Sequence, residues 1–323
     1  MSEAVVAVDI GGTHARFAIA EVAGGRVVGL GEATTLQTAQ HASFQSAWEA
    51  FARGVGGVPR SAAIAVAGPV RGEVIRFTNN PWLIRPALIG EKLNVDRHVL
   101  VNDFEAVGHA VAQADEGCFE RLCGPDVPLP ASGTISVIGP GTGLGVAHVW
   151  RGGGGDYRVQ ATEGGHIDFA PLDRIEDAIL ARLRDRYRRV SIERIVAGPG
   201  IVDIYETLAG LEGRPVAALD DRTIWTLAMR GDDSLAAAAA DRFCLSLGSV
   251  AGDLALAQGA SGVVIAGGLG LRIRDSLVRS GFPERFVAKG RFENLMAAMP
   301  VKLITHPQPG LFGAAAAFAR RYA

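Results

Sequence analysis

The first strand of this chain runs directly into a glycine turn, and this feature constrains the fold most. An apolar run ends at Asp9, then Gly11, Gly12 and Thr13 make a tight turn, and a second apolar strand follows at once. Glycines let backbone N–H groups approach an anion closely, and the Thr13 hydroxyl adds a donor. Asp9 beside the turn could hold, through water, the Mg²⁺ that accompanies nucleotide phosphates. An ordinary two-glycine hairpin gives the same pattern, so this segment alone leaves both interpretations open.

A second segment repeats the order of strand, glycine turn and strand. In it Gly141, Thr142 and Gly143 follow an apolar run, as in the first turn. Such an internal repeat predicts two similar half-molecules that face each other, each with a hairpin for phosphate. A third cluster, with Gly267 and Gly268, follows an apolar strand and opens a predicted helix, as a turn that contacts adenosine would.

The glycine spacing of the second segment could be mistaken for a dinucleotide-binding fingerprint. That motif requires a helix after the turn, whereas β-type sequence follows Gly145. The P-loop ending Gly-Lys-Ser/Thr is absent from all three clusters. A nicotinamide enzyme and a P-loop NTPase are therefore both disfavoured.

Asn102 and Asp103 follow an apolar strand and precede a predicted helix that begins near Phe104. Ligands of α/β sheets bind beyond the carboxyl ends of strands, so a reactive carboxylate is expected at this point. Asparagine and aspartate are also common helix N-caps. The two roles can coexist, and the residues alone do not decide between them.

Glu163 and His166 flank a two-glycine turn. A zinc site would need further ligands, and only Asp168 is near in a spacing that matches no zinc pattern. Sugar hydroxyls pair well with a carboxylate and a neutral imidazole, which together offer acceptors and a donor. The alternative is a surface turn with an ordinary histidine.

The composition limits the possible partners. The chain has 323 residues, 48% of them apolar and 20% charged, and a formal net charge of −2. This balance gives no reason to expect a nucleic acid or an anionic membrane as partner. Asp9 interrupts the first apolar stretch, so no secretory signal is expected, and no apolar run is long enough for a membrane span. Three cysteines are too few for a disulfide framework and indicate reduced thiols in a cytoplasmic protein.

Strands and helices alternate along the chain, which predicts an α/β fold with two domains. A first domain should end near residue 111. The predicted strands cover residues 5–8, 15–20, 62–66, 98–101, 135–138, 146–149 and 263–265. The predicted helices cover residues 44–53, 175–186, 201–209, 235–258 and 311–322, of which the fourth is Ala-rich and is expected in a core.

Taken together, several segments resemble the bacterial glucokinases, within the superfamily of actin, sugar kinases and chaperone ATPases. They occur in the family order along nearly the whole chain: DIGGTHAR at 9–16, VNDFEAVG at 101–108, GPGTGLGVA at 139–147, EGGHIDFAP at 163–171, ERIVAGPG at 193–200, IAGGLG at 265–270 and THPQPGLFGAAA at 305–316. The resemblance implies a two-domain actin-like ATPase (ribonuclease H-like) α/β fold with an interdomain cleft. Residues 1–111 plus 307–323 would form the small domain and residues 112–306 the large one.

The resemblance also implies the ATP-dependent phosphorylation of D-glucose at its 6-hydroxyl, with Asp103 as the general base. Asn102, Glu163, His166 and Glu193 would contact the sugar, and the loop of residues 77–82 is a further candidate. The implied ATP-binding residues are Asp9, Gly11, Gly12, Thr13, Gly141, Thr142, Gly143, Gly267 and Gly268, with Mg²⁺ held by Asp9 through water. Phe169-Ala170-Pro171 replaces the cysteine-rich zinc motif of the related repressor/kinase family, so no zinc is expected. A homodimer is implied by the resemblance alone.

Three other functions remain to be weighed. A kinase for another hexose would use the same residues, and the phosphoryl donor could be ADP or polyphosphate instead of ATP. A sugar sensor that binds glucose and nucleotide without turnover has no need of Asp103. An actin-like filament ATPase would not explain why Asn102, Glu163, His166 and Glu193 occur together.

Overall fold

The computed structural model describes residues 2–77 and 80–323, so Thr78 and Asn79 of the predicted sugar-binding loop lie outside the described residues. The chain divides into two compact units. The first contains residues up to Asp115, together with Val159–Ala161 and His306–Ala323. The second contains Glu116–Arg158 and Thr162–Thr305.

Strands and helices alternate in both units, as the sequence predicts. The strands are β1 (Glu3–Ile10), β2 (His14–Ala23), β3 (Arg26–Leu30), β4 (Thr34–Gln37), β5 (Ser61–Val66), β6 (Ile75–Arg76), β7 (Leu83–Ile84), β8 (Arg97–Asn102), β9 (Phe119–Cys123), β10 (Ser132–Pro140), β11 (Leu144–Gly153), β12 (Asp156–Thr162), β13 (Ala260–Ile265) and β14 (Val301–Ile304). The helices are α1 (Phe44–Gly54), α2 (Ile89–Leu93), α3 (Asp103–Gln113), α4 (Arg174–Arg186), α5 (Glu193–Val196), α6 (Gly200–Leu211), α7 (Asp221–Arg230), α8 (Ser234–Ala257), α9 (Gly267–Arg272), α10 (Arg274–Arg279), α11 (Phe282–Val287), α12 (Glu293–Ala297) and α13 (Pro309–Arg321).

The two large sheets share one topology. The first has the order β3-β2-β1-β5-β8, with β4 paired to β2, and the second has the order β12-β11-β10-β13-β14-β9. In each sheet an antiparallel hairpin, β1/β2 or β10/β11, continues into two parallel strands. The shared topology agrees with the internal repeat predicted from the two glycine turns.

In the first unit, both faces of the central sheet are covered. One side chain row of β1, including Val6 and Val8, packs in a cluster with Phe44 and Trp48 of α1. The other row packs in a cluster that includes Phe318 of α13. Burial on both faces explains why β1 is apolar at nearly every position instead of alternating.

In the second unit, the long helix α8 lies in the core, as the sequence predicts. A Cβ atom at Gly248 would lie 2.4 Å from the backbone oxygen of Phe282, so α11 packs against the backbone of α8 at this point. Fifteen of the helix's residues are buried, so the face that it turns towards the core is wide. The small residues of α8 are therefore explained by close helix packing.

Each predicted strand and helix is present, with its ends displaced by a few residues. The short strands and helices between them, such as β9 and α10 to α12, were not predicted because runs of this length carry little periodicity. Trp82, in the predicted sugar-binding loop, is 1% exposed and belongs to the core of the first unit. Within residues 2–77 and 80–323, no helix is both long and apolar enough for a membrane span.

Candidate functional site

The glycine turn between β1 and β2 is held through its carbonyl groups. Asn80 donates its side-chain N–H to the oxygen of Gly11 at 3.2 Å, and the Thr38 hydroxyl donates to the oxygen of Gly12 at 3.0 Å. The backbone N–H of Thr38 donates to the oxygen of Thr13 at 3.0 Å. Asn80 and Thr38 are buried, which makes them fixed supports for the turn.

The backbone N–H groups of this turn are less fully paired than its carbonyl groups. The N–H of Gly11 donates to the oxygen of His14 at 2.9 Å, whereas the N–H groups of Gly12 and Thr13 have no partner in the described part of the chain. Consecutive unpaired backbone N–H groups in a turn form a concave anion-binding surface. The turn therefore has the donors that a phosphate group requires.

The turn between β10 and β11 follows the same scheme. The N–H of Gly198 donates to the oxygen of Gly141 at 2.7 Å, and the N–H of Gly141 donates to the oxygen of Gly143 at 2.8 Å. Among the residues described, the N–H groups of Thr142 and Gly143 have no partner. Both hairpins are thus supported through carbonyls and leave two adjacent N–H donors available to a ligand.

The two hairpins differ in length. Strand pairing ends at Ile10 and Ala15 in the first hairpin, and at Pro140 and Leu144 in the second. The connection is therefore one residue shorter in the second hairpin. The repeat found in the sequence is conserved in its architecture but not in the geometry of the turn itself.

Asp9 lies next to the first turn and has a side chain that is 20% exposed. Its carboxylate pairs with the Arg16 guanidinium at 3.3 Å. Burial raises the pKa of the Asp9 carboxyl, and Arg16 opposes that increase. A Cβ atom at Gly310 would lie 2.7 Å from an oxygen of this carboxylate, so only glycine lets the first turn of α13 approach it. The positive end of the α13 dipole favours a negative charge there.

Asn102 and Asp103 lie at the carboxyl end of β8, where α3 begins. The Asn102 side-chain oxygen accepts from the N–H groups of Phe104 and Glu105 at 2.9 and 3.2 Å, and its amide donates to the oxygen of Gly68 at 3.0 Å. Asn102 is therefore the N-cap of α3, the alternative that the sequence left open. An asparagine amide has a second N–H, which the cap does not use.

Asp103 is the first residue of α3, and its surroundings disfavour the charged form of its carboxyl group. Burial, together with the negative charge of Asp9, raises its pKa to about 6. Its hydrogen bond from the N–H of Phe104 at 3.0 Å opposes this shift but does not cancel it. Near neutral pH the group is ionised yet basic enough to accept a proton, which is the property that a general base requires.

Glu193 lies beside the second hairpin. Its carboxylate accepts a hydrogen bond from the N–H of Leu144, the first residue of β11, at 2.8 Å. A Cβ atom at Gly143 would lie 2.6 Å from the same carboxylate oxygen. The second carboxylate oxygen of Glu193 has no hydrogen bond within residues 2–77 and 80–323, and the glycine is required for the close approach.

Glu163 precedes a 3₁₀ turn at Gly164–His166, of which His166 is the last residue, and both side chains are exposed. The nearest oxygen of Glu163 is 3.8 Å from Nε2 of His166. A Cβ atom at Gly165 would lie 2.3 Å from the backbone oxygen of Leu144. Leu144 therefore anchors both the turn with Glu163 and His166 and, through its N–H, the carboxylate of Glu193.

The third glycine cluster opens α9, directly after β13, as the sequence predicts. Gly267 has a positive φ of 85°, and a Cβ atom there would lie 2.8 Å from the oxygen of Pro140. A Cβ atom at Gly268 would meet nothing within 4 Å. Gly267 thus brings the start of α9 against the end of β10, whereas the surface at Gly268 is open.

The structure brings together Asp9 with Asp103 in the first unit and Glu193 with Gly143 in the second. The supporting residues Thr38, Asn80 and Gly310 were not singled out from the sequence. Gly310 was within reach, because it belongs to the segment at residues 305–316 that resembles the family. Asn80 was likewise within the loop of residues 77–82 named as a sugar-site candidate, whereas Thr38 has no local signature, since it acts through contacts with a distant turn.

A metal ion beside Asp9 and Asp103 would take most of its coordinating oxygens from water and from a bound phosphate group. The described residues contain no group of three or more His, Cys, Asp or Glu side chains that could hold a metal. Mg²⁺ takes oxygen ligands and is commonly held by one or two carboxylates together with water and substrate phosphates. The carboxylates of Asp9 and Asp103 fit that pattern, and their mutual repulsion would be relieved by a cation.

We expect the Asp103→Asn variant to be more stable than the natural protein at pH 7.5, by about 1–3 kcal/mol. The pKa of Asp103 is raised from 3.8 to about 6, so its contribution to stability is present below pH 4 and is lost as pH rises through 6. The gain should therefore disappear below about pH 4. Calorimetric unfolding from pH 4 to 8 measures it.

Asp96→Asn is the matched control for that experiment. Asp96 forms an exposed ion pair with Arg60 at 2.6 Å, which lowers its pKa. We expect Asp96→Asn not to stabilise the protein at any pH in this range. If Asp103→Asn is less stable than the natural protein at pH 7.5, the ionised carboxylate of Asp103 does not destabilise the fold, and the prediction is wrong.

The comparisons with known proteins agree over nearly the whole chain. A family model described as glucokinase matches residues 6–321. The chain is 64% identical over 319 residues to the glucokinase of Zymomonas mobilis, with 98% of each chain covered. It is 40% identical over 314 residues to the glucokinase of Caulobacter vibrioides, which covers 96% of this chain and 93% of that protein.

A solved structure extends the likeness to three dimensions. The crystal structure of glucokinase from an Antarctic psychrotroph has a TM-score of 0.86 and 33% identity to this chain, with 98% of each chain covered. The predicted fold class, the α/β fold of the actin-like ATPases with a sheet in each of two units, is confirmed. By sequence and by fold, the chain belongs to the glucokinase family.

Proposed function

We propose that this chain transfers the γ-phosphoryl group of ATP to the 6-hydroxyl of D-glucose and releases ADP and glucose 6-phosphate. The observation that carries the proposal is the Asp103 carboxyl at the end of β8, whose pKa is raised to about 6. Relatives named glucokinase, up to 64% identical over nearly the full chain, support glucose as the substrate.

In the proposed reaction, the carboxylate of Asp103 accepts the proton of the glucose 6-hydroxyl. The oxygen forms a bond to the γ-phosphorus, and the bond from that phosphorus to the ADP oxygen breaks. Phosphoryl transfer depends mainly on positioning and on charge stabilisation, since the protein forms no covalent bond. A base held by the N-terminus of α3 has a fixed direction, which is the part of the task that Asp103 performs.

The two hairpins supply donors to the phosphate oxygens. The N–H groups of Gly12 and Thr13 would serve one part of the triphosphate, and those of Thr142 and Gly143 another. Gly267 and Gly268 at the start of α9 would lie against the adenosine. Mg²⁺, held by Asp9 through water, would neutralise charge on the phosphate oxygens.

Four further side chains would recognise the sugar hydroxyls. Asn102, whose side chain also hydrogen-bonds the Asp103 carboxyl, would present its amide to the sugar, and Glu193 retains one carboxylate oxygen after binding Leu144. Glu163 and His166 are exposed on their turn and offer acceptors and a donor. The proposal includes a homodimer, a cytoplasmic location and no nucleic-acid partner, which follow from the sequence reasoning and the resemblance.

The direct test is a spectrophotometric assay of ATP, Mg²⁺ and glucose, coupled through glucose-6-phosphate dehydrogenase. We expect turnover with glucose, and a 10²–10⁴-fold lower kcat in Asp103→Ala because the general base is lost. Glucose affinity, measured by calorimetry, should change far less than kcat. Asp96→Ala, at an exposed ion pair, is the control and should keep its kcat.

Three outcomes of that assay decide between the alternatives. No turnover with retained glucose binding would favour a sugar sensor or a different phosphoryl donor. Faster turnover with mannose, fructose or N-acetylglucosamine would favour another hexose as substrate. An Asp103→Ala variant with near-normal kcat would overturn the assignment of the base.

For Glu193→Gln we expect the KM for glucose to rise about tenfold, with kcat and thermal stability little changed. Glutamine can still accept the N–H of Leu144 but loses the charge that strengthens a hydrogen bond to a sugar hydroxyl. Steady-state kinetics measure this, with the exposed Glu212→Gln as control. Unchanged KM and kcat would remove Glu193 from the sugar site.

A further inference from the structure

Trp225 in α7 is a buried tryptophan that none of the proposed steps uses. Its side chain is 1% exposed and packs edge-on against Phe243 of α8, with ring centroids 5.0 Å apart. Its indole N–H donates a hydrogen bond to the backbone oxygen of Gly198 at 3.0 Å. A buried indole N–H normally finds a partner, so the bond itself is expected, but the choice of partner is informative.

Gly198 continues this contact to the second hairpin. Its N–H donates to the oxygen of Gly141 at 2.7 Å, and a Cβ atom on Gly198 would lie only 3.0 Å from that oxygen. Two consecutive hydrogen bonds thus connect the ring of Trp225 to the first residue of the hairpin turn. That turn leaves the N–H groups of Thr142 and Gly143 without a partner among the described residues.

Trp225 also touches the helix that the third glycine cluster opens. The guanidinium of Arg272, the last residue of α9, lies 5.9 Å from the centre of the Trp225 ring. On this side is a cavity of about 780 Å³, lined by Trp225, Arg272 and residues of α7, α8 and α10. Trp225 therefore contacts Gly198, which supports the hairpin, and Arg272 of α9. The hairpin and α9 are proposed to hold different parts of one nucleotide.

We propose that Trp225 is a positioning residue for the nucleotide, which fixes the hairpin at Gly141–Gly143 relative to α9. This inference rests on the proposed function for the identity of the nucleotide. It does not require that glucose be the acceptor. Its specific consequence is that loss of the indole N–H weakens nucleotide binding far more than sugar binding, because Glu193 is the one proposed sugar contact that also touches this hairpin.

The test is the Trp225→Phe variant, which keeps an aromatic ring and removes the donor to Gly198. We expect the dissociation constant of the non-hydrolysable ATP analogue AMPPNP, with Mg²⁺, to rise about tenfold, the size expected for one ordinary buried hydrogen bond. The dissociation constant for glucose should stay within about twofold. Calorimetry measures both, and KM for ATP should rise in parallel where turnover is present.

Trp150→Phe is the matched control, because it makes the same substitution in the same unit at an indole that is 43% exposed. It should leave both dissociation constants unchanged. An AMPPNP affinity within twofold of the natural protein in Trp225→Phe would overturn the proposal. So would an equal loss of AMPPNP and glucose affinity together with a lower Tm, since that is the result of a purely structural role.

A measurement on the natural sequence decides the question if Trp225→Phe does not fold. The protein labelled with 5-fluorotryptophan has four ¹⁹F resonances, one for each tryptophan. The Trp225 resonance is assigned by elimination with Trp48→Phe, Trp82→Phe and Trp150→Phe. We expect AMPPNP to shift it and glucose to leave it in place. A Trp225 resonance that AMPPNP does not move would refute the inference, whereas absent turnover with glucose would refute only the proposed acceptor.

Discussion

Two carboxylates, Asp9 and Asp103, lie in a poorly solvated part of the first unit, and the side chains and helix ends around them have to accommodate their charge. Burial raises the pKa of both Asp9 and Asp103, and the charge of Asp9 raises that of Asp103 further. Left alone, such a pair would be neutralised by protonation. Arg16, the N-terminus of α13 at Gly310 and the N–H of Phe104 oppose this, so that the pair remains ionisable near neutral pH.

In the second unit, backbone groups hold the candidate site residues in place, instead of a pair of charged side chains. Leu144 follows the hairpin turn, and its N–H donates a hydrogen bond to Glu193. Its backbone oxygen lies so close to Gly165 that a side chain there would collide with it. Because glycine alone permits these approaches, Gly143 and Gly165 are required by packing as well as by any ligand. In both units the hairpin turn is supported through carbonyl oxygens, which leaves N–H groups for an anion.

The sequence predicted those structural features that are local in the chain. Asp9, Gly11, Gly12 and Thr13 are consecutive or nearly so, and the structure has the predicted hairpin there, although the segment alone did not distinguish a phosphate-binding turn from an ordinary one. The repeated hairpin predicted two similar halves, and the shared arrangement of hairpin and parallel strands in the two sheets agrees with it. The N-cap role of Asn102 and a functional role of Asp103 could both be predicted, but only the fold shows the cap.

The remainder depends on contacts between distant residues, which single-sequence patterns do not record. Thr38 and Asn80 support a turn far from them in the chain, and Trp225 reaches its hairpin through Gly198. The raised pKa of Asp103 is likewise invisible in the sequence, because it results from burial and from Asp9 on a neighbouring part of the sheet. Short elements such as β9 were missed because a few residues carry too little periodicity.

We propose that Asp103 is a general base and that its surroundings hold its pKa near 6. The most direct measurement is kcat/KM for glucose between pH 5 and 9, with both substrates well below saturation so that the unliganded protein governs the profile. We expect kcat/KM to fall below about pH 6, with a slope that approaches tenfold per pH unit, as the carboxylate of Asp103 becomes protonated. A rate that does not change between pH 5 and pH 7 would contradict it.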